Sequence, residues 1–178
     1  MAEAEYYYNE AIRICRDEIE GNRATADSYV ILAWTLQRKD QYRNVIEWGE
    51  LGLRLYRNEY RLVEIMGEAY FYLNEYSRSL VNMQLYVDSL PQGERVPTAY
   101  FFMGEIYLLQ RKYRRADIAY TAATWLEPSN SLWWYRCGLA RERSGDTETA
   151  AEAFERSLRI YPGYSEARAG LERVRTTR

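Results

Sequence analysis

Apolar positions return along this chain with the spacing of a helix. Tyr29, Leu32, Ala33 and Leu36 fall at i, i+3, i+4 and i+7 and predict one buried helical stripe. Residues 3–20 set Tyr8, Ala11, Ile12, Ile14, Cys15 and Ile19 among charged neighbours, which predicts a helix with more apolar surface than a single neighbour covers. Residues 165–175 intersperse Ala167, Ala169, Leu171 and Val174 with Arg168, Glu172, Arg173 and Arg175, the mixed surface of a helix that ends a core. Only four prolines and ten glycines interrupt the chain, several of them between periodic segments, so long helices joined by short turns are predicted. The expected class is all-α.

The pattern also repeats on a longer scale. Windows 97–130 and 131–164 superimpose at a period of 34 residues. At positions 4, 8, 20, 24 and 32 the first carries Tyr100, Gly104, Ala116, Tyr120 and Pro128, and the second Trp134, Gly138, Ala150, Phe154 and Pro162. A third window, 60–93, carries Gly67, Tyr70, Tyr76 and Pro91 in register, with Glu94–Val96 inserted after it and the bulky Tyr86 at position 27. That bulk and that insertion predict an irregular stacking angle between the second and third windows. The window 26–59 matches least: Ala33 and Tyr42 are in place, but Val45, Gly49, Gly52 and Arg57 depart from the pattern.

Aromatic, Gly, Ala, aromatic and Pro at this spacing resemble the tetratricopeptide repeat, a helix-turn-helix unit that stacks into a right-handed superhelical array. The resemblance covers essentially the whole chain. It implies one domain of four repeats (26–59, 60–93, 97–130 and 131–164), preceded by a half-repeat helix at 3–20 and closed by a capping helix at 165–175. Small residues at Gly104, Gly138, Ala116 and Ala150 are expected to let paired helices approach, with Tyr107, Tyr120 and Phe154 filling the space between repeats.

Composition narrows the chemistry. With 178 residues, 47% of them apolar, the chain is long enough for a packed core, and a net charge of −2 with Lys and Arg along every helix offers no basic face for nucleic acid. No window approaches 18 uninterrupted apolar residues, so this segment is not expected to enter a membrane. The opening Met1-Ala2-Glu3-Ala4-Glu5 lacks the basic start and apolar run of a signal peptide, which favours the cytoplasm. There is no histidine, and therefore no Ser-His or Cys-His pair; Cys15 and Cys137 are too few for a zinc site and about three repeats apart, too far to bridge. Glycine-rich phosphate loops are absent. Glu64 and Glu68 lie one turn apart but read as a solvated or ligand-facing helix edge. No catalytic residue, metal or cofactor is expected.

The resemblance implies where a partner would bind. Tetratricopeptide arrays line a concave groove with first-helix positions 2, 5, 9, 12 and 13. Transferred to this chain, the candidate groove residues are Val30, Trp34, Glu64, Glu68, Phe71, Phe101, Glu105, Leu108, Tyr135 and Leu139, with Tyr72, Leu109 and Leu132 at further groove positions. Aromatic anchors and carboxylates together favour an apolar, basic peptide or helix. Val30 and Trp34 stand where a chaperone-type carboxylate clamp would place Lys and Asn, which disfavours an acidic chaperone C-terminus. Some of these aromatics are equally suited to packing between first helices or against the cap. Tyr6, Tyr7 and Tyr8 form a candidate self-association surface. The expected role is a non-catalytic interaction scaffold or adaptor; the alternatives are a homo-oligomerising assembly protein and a regulatory or anchoring segment of a larger protein.

Overall fold

The computed structural model describes residues 2–176, and among these the chain forms ten α-helices and no strand. They are α1 (Ala2–Glu20), α2 (Ala26–Arg38), α3 (Tyr42–Leu55), α4 (Tyr60–Tyr72), α5 (Tyr76–Ser89), α6 (Val96–Leu109), α7 (Tyr113–Leu126), α8 (Ser131–Ser144), α9 (Thr147–Ile160) and α10 (Ser165–Thr176). Two compact units result, one ending at Gln92 and the other beginning at Gly93. In the first, α2 pairs with α3 and α4 with α5, and α1 lies against α2; in the second, α6 pairs with α7 and α8 with α9, and α10 packs on α9 and α8. No described helix is long and apolar enough to cross a membrane.

The apolar stripe of α2 forms the centre of the first core. Leu32, Ala33 and Leu36 are fully buried with Val45, Leu62 and Cys15, and Ile12 and Ile19 of α1 close over them. Ile14 points outward, so α1 divides its apolar surface between the core and solvent. Tyr86, bulky where a small residue is usual, is itself buried.

Within each repeat of the second unit a glycine makes room for a ring. A Cβ added to Gly104 of α6 would stand 2.6 Å from Cε1 of Tyr120 on α7, and one on Gly138 of α8 would stand 2.7 Å from Phe154 on α9. Gly170 of α10 approaches the opposite end of Phe154 as closely. The expectation that Tyr120 and Phe154 fill the space between repeats is therefore corrected in part: each ring seats on the glycine of its own repeat's first helix, and Phe154 also reaches Gly170 of α10. Tyr120 and Phe154 are fully buried as a result, each contributing about 1.5–3 kcal/mol of apolar burial.

The first unit solves the same volume problem with the sizes exchanged. Gly49 stands where an aromatic is usual, and Met66 of α4 fills the space, its Sδ only 2.5 Å from where a Cβ would lie. Gly52 likewise faces Leu62 and Tyr29. The window that matches the repeat pattern least thus has a complementary core of its own.

The turns inside the repeats share one geometry. Asp40, Asn74, Arg111 and Gly145 all adopt a left-handed backbone, with φ of 55°, 61°, 58° and 89°. In each case the following amide reaches back to the helix before it, as in Gln41 N–H to the Leu36 carbonyl and Lys112 N–H to the Tyr107 carbonyl. This is a helix C-terminus that favours Gly, Asn or Asp. The Tyr42 hydroxyl donates to Asp40 at 2.6 Å and the Tyr76 hydroxyl to Asn74 at 2.7 Å, fastening two of the turns. Arg111 is the exception, since unlike Asp40 and Asn74 it has no short polar side chain to bond locally in the left-handed region and no acceptor to offer Tyr113.

Two substitutions should move urea stability in opposite directions. Gly104→Ala is expected to cost about 1–3 kcal/mol by overpacking against Tyr120. Arg111→Gly is expected to gain about 1 kcal/mol by relieving the turn.

Candidate functional site

The groove candidates of the first unit lie on α2 and α4 and meet different fates. Trp34 is 44% exposed; its ring meets Tyr8 of α1 edge-on at 6.4 Å between centroids and carries the Arg38 guanidinium 4.9 Å above it. Val30 packs partly against the core beneath. Glu64 is buried, with 3% of its surface exposed, so the expected solvated or ligand-facing position does not hold for it; Glu68, one turn on, is half-buried. Phe71 is half-buried, 5.4 Å from Tyr72 and 6.0 Å from Tyr76. Tyr72, exposed, stacks on Tyr42 at 4.7 Å.

In the second unit the candidates on α6 and α8 are joined to one another. Phe101 stacks on Trp133 at 5.4 Å and lies 6.0 Å from Tyr120. Glu105 accepts the Tyr120 hydroxyl at 2.6 Å, and Arg136 Nε stands 3.1 Å from the same oxygen, an ion pair out of line for a hydrogen bond. Leu108 packs against the core formed by Ala116, Tyr120 and Cys137. Tyr135 faces Tyr164 at 5.1 Å and Phe154 at 6.0 Å, between α8 and the segment leading to α10. Leu139 is half-buried, whereas Leu109 and Leu132 are exposed. Phe101 and Tyr135 therefore do pack against neighbouring helices, as the alternative reading of the aromatics anticipated.

On α1, Tyr6 and Tyr7 are exposed and contact each other edge-on at 5.6 Å, while Tyr8 turns inward to Trp34.

Sequence reasoning missed the pairing of charges between successive first helices. Arg136 meets Glu105, Arg173 meets Glu142 at 2.8 Å across 31 residues, and Arg61 meets Asp27 at 2.8 Å across 34. Its signal is an acid followed by a base about one repeat later. An exposed pair such as Arg61 with Asp27 contributes little to stability, about 0.2–1 kcal/mol, but each pair neutralises a carboxylate on a first helix.

Both cysteines are free and buried. Burial pushes the Cys137 thiol up to about 12, with Arg141 nearby acting in the opposite sense and Asp117 in the same. Burial, reinforced by Glu105, also raises the Tyr120 phenol. Neither group is poised as a nucleophile or base at neutral pH. Among the described residues no cluster of three or more His, Cys, Asp or Glu is placed to hold a metal.

Paired antiparallel helices, repeated with a small residue on the first and a ring on the second, define an all-α repeat protein. The family profile of the tetratricopeptide repeat matches residues 131–164, so this stretch, α8 with α9, is a tetratricopeptide repeat. Solved structures share the fold over most of the chain's length. MamA from Desulfovibrio magneticus RS-1 is 18% identical with a TM-score of 0.76, covering 85% of this chain and 84% of its own. YrrB, described as having an unusual peptide-binding site, is 18% identical with a TM-score of 0.74, covering 96% and 86%. The first tetratricopeptide domain of Spaghetti (RPAP3), solved with an HSP90 peptide, is 22% identical with a TM-score of 0.60, covering 66% and 91%. No curated protein sequence matches the chain.

The raised thiol and phenol give a pH dependence with a definite sign. Buried Cys137 holds its proton in the fold more tightly than a free thiol, which releases it near pH 9.0. Its contribution is complete below about pH 9 and lost as pH rises towards 12, and Tyr120 acts in the same direction. The urea midpoint should therefore fall across that window, and fall less steeply in Cys137→Ala than in the wild type.

Proposed function

We propose that this protein is a non-catalytic interaction scaffold that holds an apolar segment of a partner against its first helices. The observation that carries the reading is Trp34, an indole left 44% exposed on a first helix and held in orientation by Tyr8 and Arg38. A large, preorganised aromatic loses little entropy on binding and gives the kind of anchor that dominates interfaces. Peptide-bound or peptide-binding neighbours of the same fold support a peptide as the ligand class. Val30 on α2 and Glu68 and Phe71 on α4 are the other first-helix candidates of the first unit. Phe101, Glu105, Leu108, Tyr135 and Leu139 play the corresponding role in the second, where exposed Leu109 and Leu132 add apolar surface.

Glu68 is half-buried on α4. Glu64 is buried and Glu105 is already engaged by Tyr120 and Arg136, so the partner is selected more by apolar burial than by charge. Phe101 and Glu105 are also poor choices for a clean test, because removing them breaks the Trp133 stack and the Tyr120 hydrogen bond.

Peptides selected from a random display library on the wild type should be apolar, with cations tolerated. Trp34→Ala should weaken the selected peptide by about thirtyfold, and Glu68→Lys should weaken basic members specifically, both with unchanged helicity. Failure to enrich any peptide, or equal binding by Trp34→Ala, would sink the reading.

A second reading, self-association through α1, draws on the exposure of Tyr6, Tyr7 and Ile14. Concentration-dependent mass in sedimentation, abolished by Tyr6→Ala with Tyr7→Ala, would favour it.

A further inference from the structure

Four arginines of the second unit sit against a carboxylate on another helix: Arg136, Arg141, Arg173 and Arg175 against Glu105, Asp117, Glu142 and Glu155. Arg111, Lys112, Arg114, Arg115 and Arg143 have no carboxylate partner among the described residues, and these five gather in one place. With Tyr113 and Ser144 they line an open hollow of about 410 Å³ where the turn between α6 and α7 meets the end of α8. Their recorded partners are neutral: Lys112 donates to Gln110 at 2.7 Å, and Arg115 lies 5.9 Å over the Tyr107 ring. The sequence expectation that Lys and Arg are spread along the helices without a basic focus is corrected at this point.

Two further features mark the same place. Arg111 occupies the left-handed turn position where the other repeats carry Asp40, Asn74 and Gly145, so a cation stands where the backbone favours another residue. On α7, Arg114, Ile118 and Trp125 fall within about 40° of one stripe. Ile118 is 70% exposed and Trp125 80%, both unusual for such large apolar side chains on a helix this well packed on its other face.

We infer that this surface recognises a phosphorylated segment of a partner protein. The phosphoryl group sits among Arg111, Arg114 and Arg143, whose guanidinium forks suit a phosphate dianion, and the residues after it lie along α7. Ile118 stands about 6 Å and Trp125 about 16 Å beyond Arg114 along the helix. An extended segment advancing about 3.3 Å per residue presents apolar side chains to them roughly two and five positions after the phosphorylated residue. Convergence of the cations on a hollow fits a compact anion on a peptide better than the plane of a bilayer. Apart from Arg143 at the end of first helix α8, this surface lies on α7 and the turn before it, so Trp34→Ala, which tests the first-helix reading, leaves it untouched.

Fluorescence anisotropy with a labelled peptide tests the inference directly, the peptide carrying phosphoserine followed by leucine at the second and fifth positions. Its unphosphorylated twin and phosphatidylserine vesicles serve as parallel arms. The phosphopeptide is expected to bind at least about tenfold more tightly than the twin and to be displaced by inorganic phosphate. Arg114→Glu with Arg143→Glu should remove that advantage, Trp125→Ala should weaken both peptides, and Arg111→Gly should lower affinity although it relieves the turn. Circular dichroism of each variant confirms that these exposed substitutions leave the helices intact. Equal binding of the two peptides, binding of neither, or capture by vesicles without capture of the phosphopeptide would overturn the inference.

Discussion

The fit of a ring into the notch left by a glycine is the contact on which the second unit depends. Gly104 admits Tyr120, and Gly138 and Gly170 together admit Phe154. Because interiors pack like solids, the size of that notch fixes how closely the helices of a repeat approach, and through it where the outward faces point. The contact also extends beyond the core. The Tyr120 hydroxyl emerges beside Glu105, and Glu105 meets Arg136 of the next first helix, so one ring links the core of a repeat to its neighbour and to the face where a partner would lie.

That linkage divides the face into residues that build it and residues left over. Phe101 and Tyr135 are committed to stacks within the unit, and Glu105 to an internal pair. Trp34, Tyr72, Leu109 and Leu132 keep substantial surface open. Position in the repeat alone does not separate the two groups, since Trp34 and Glu105 occupy the same repeat position in different windows.

The fold was legible because it rests on local pattern. Helical spacing and a 34-residue period placed Gly104, Gly138, Tyr120 and Phe154 in register without any knowledge of contacts. What escaped the sequence depends on pairing across repeats. Gly49 looked like a defect until Met66 was seen to fill its space, and the burial of Glu64 and the pairing of Glu105 with Arg136 are set by neighbours about one repeat away. Arg111-Lys112-Tyr113-Arg114-Arg115 was present in the sequence throughout. It became a focus of charge only when α8 brought Arg143 beside it and no carboxylate joined them.

The most direct test of the scaffold reading is amide hydrogen exchange of the protein with and without a peptide selected on it. Slowed exchange concentrated in the first helices α2 and α4, or α6 and α8, is the predicted result. Slowed exchange confined to α1, or to the second helices with the first helices unchanged, would contradict it.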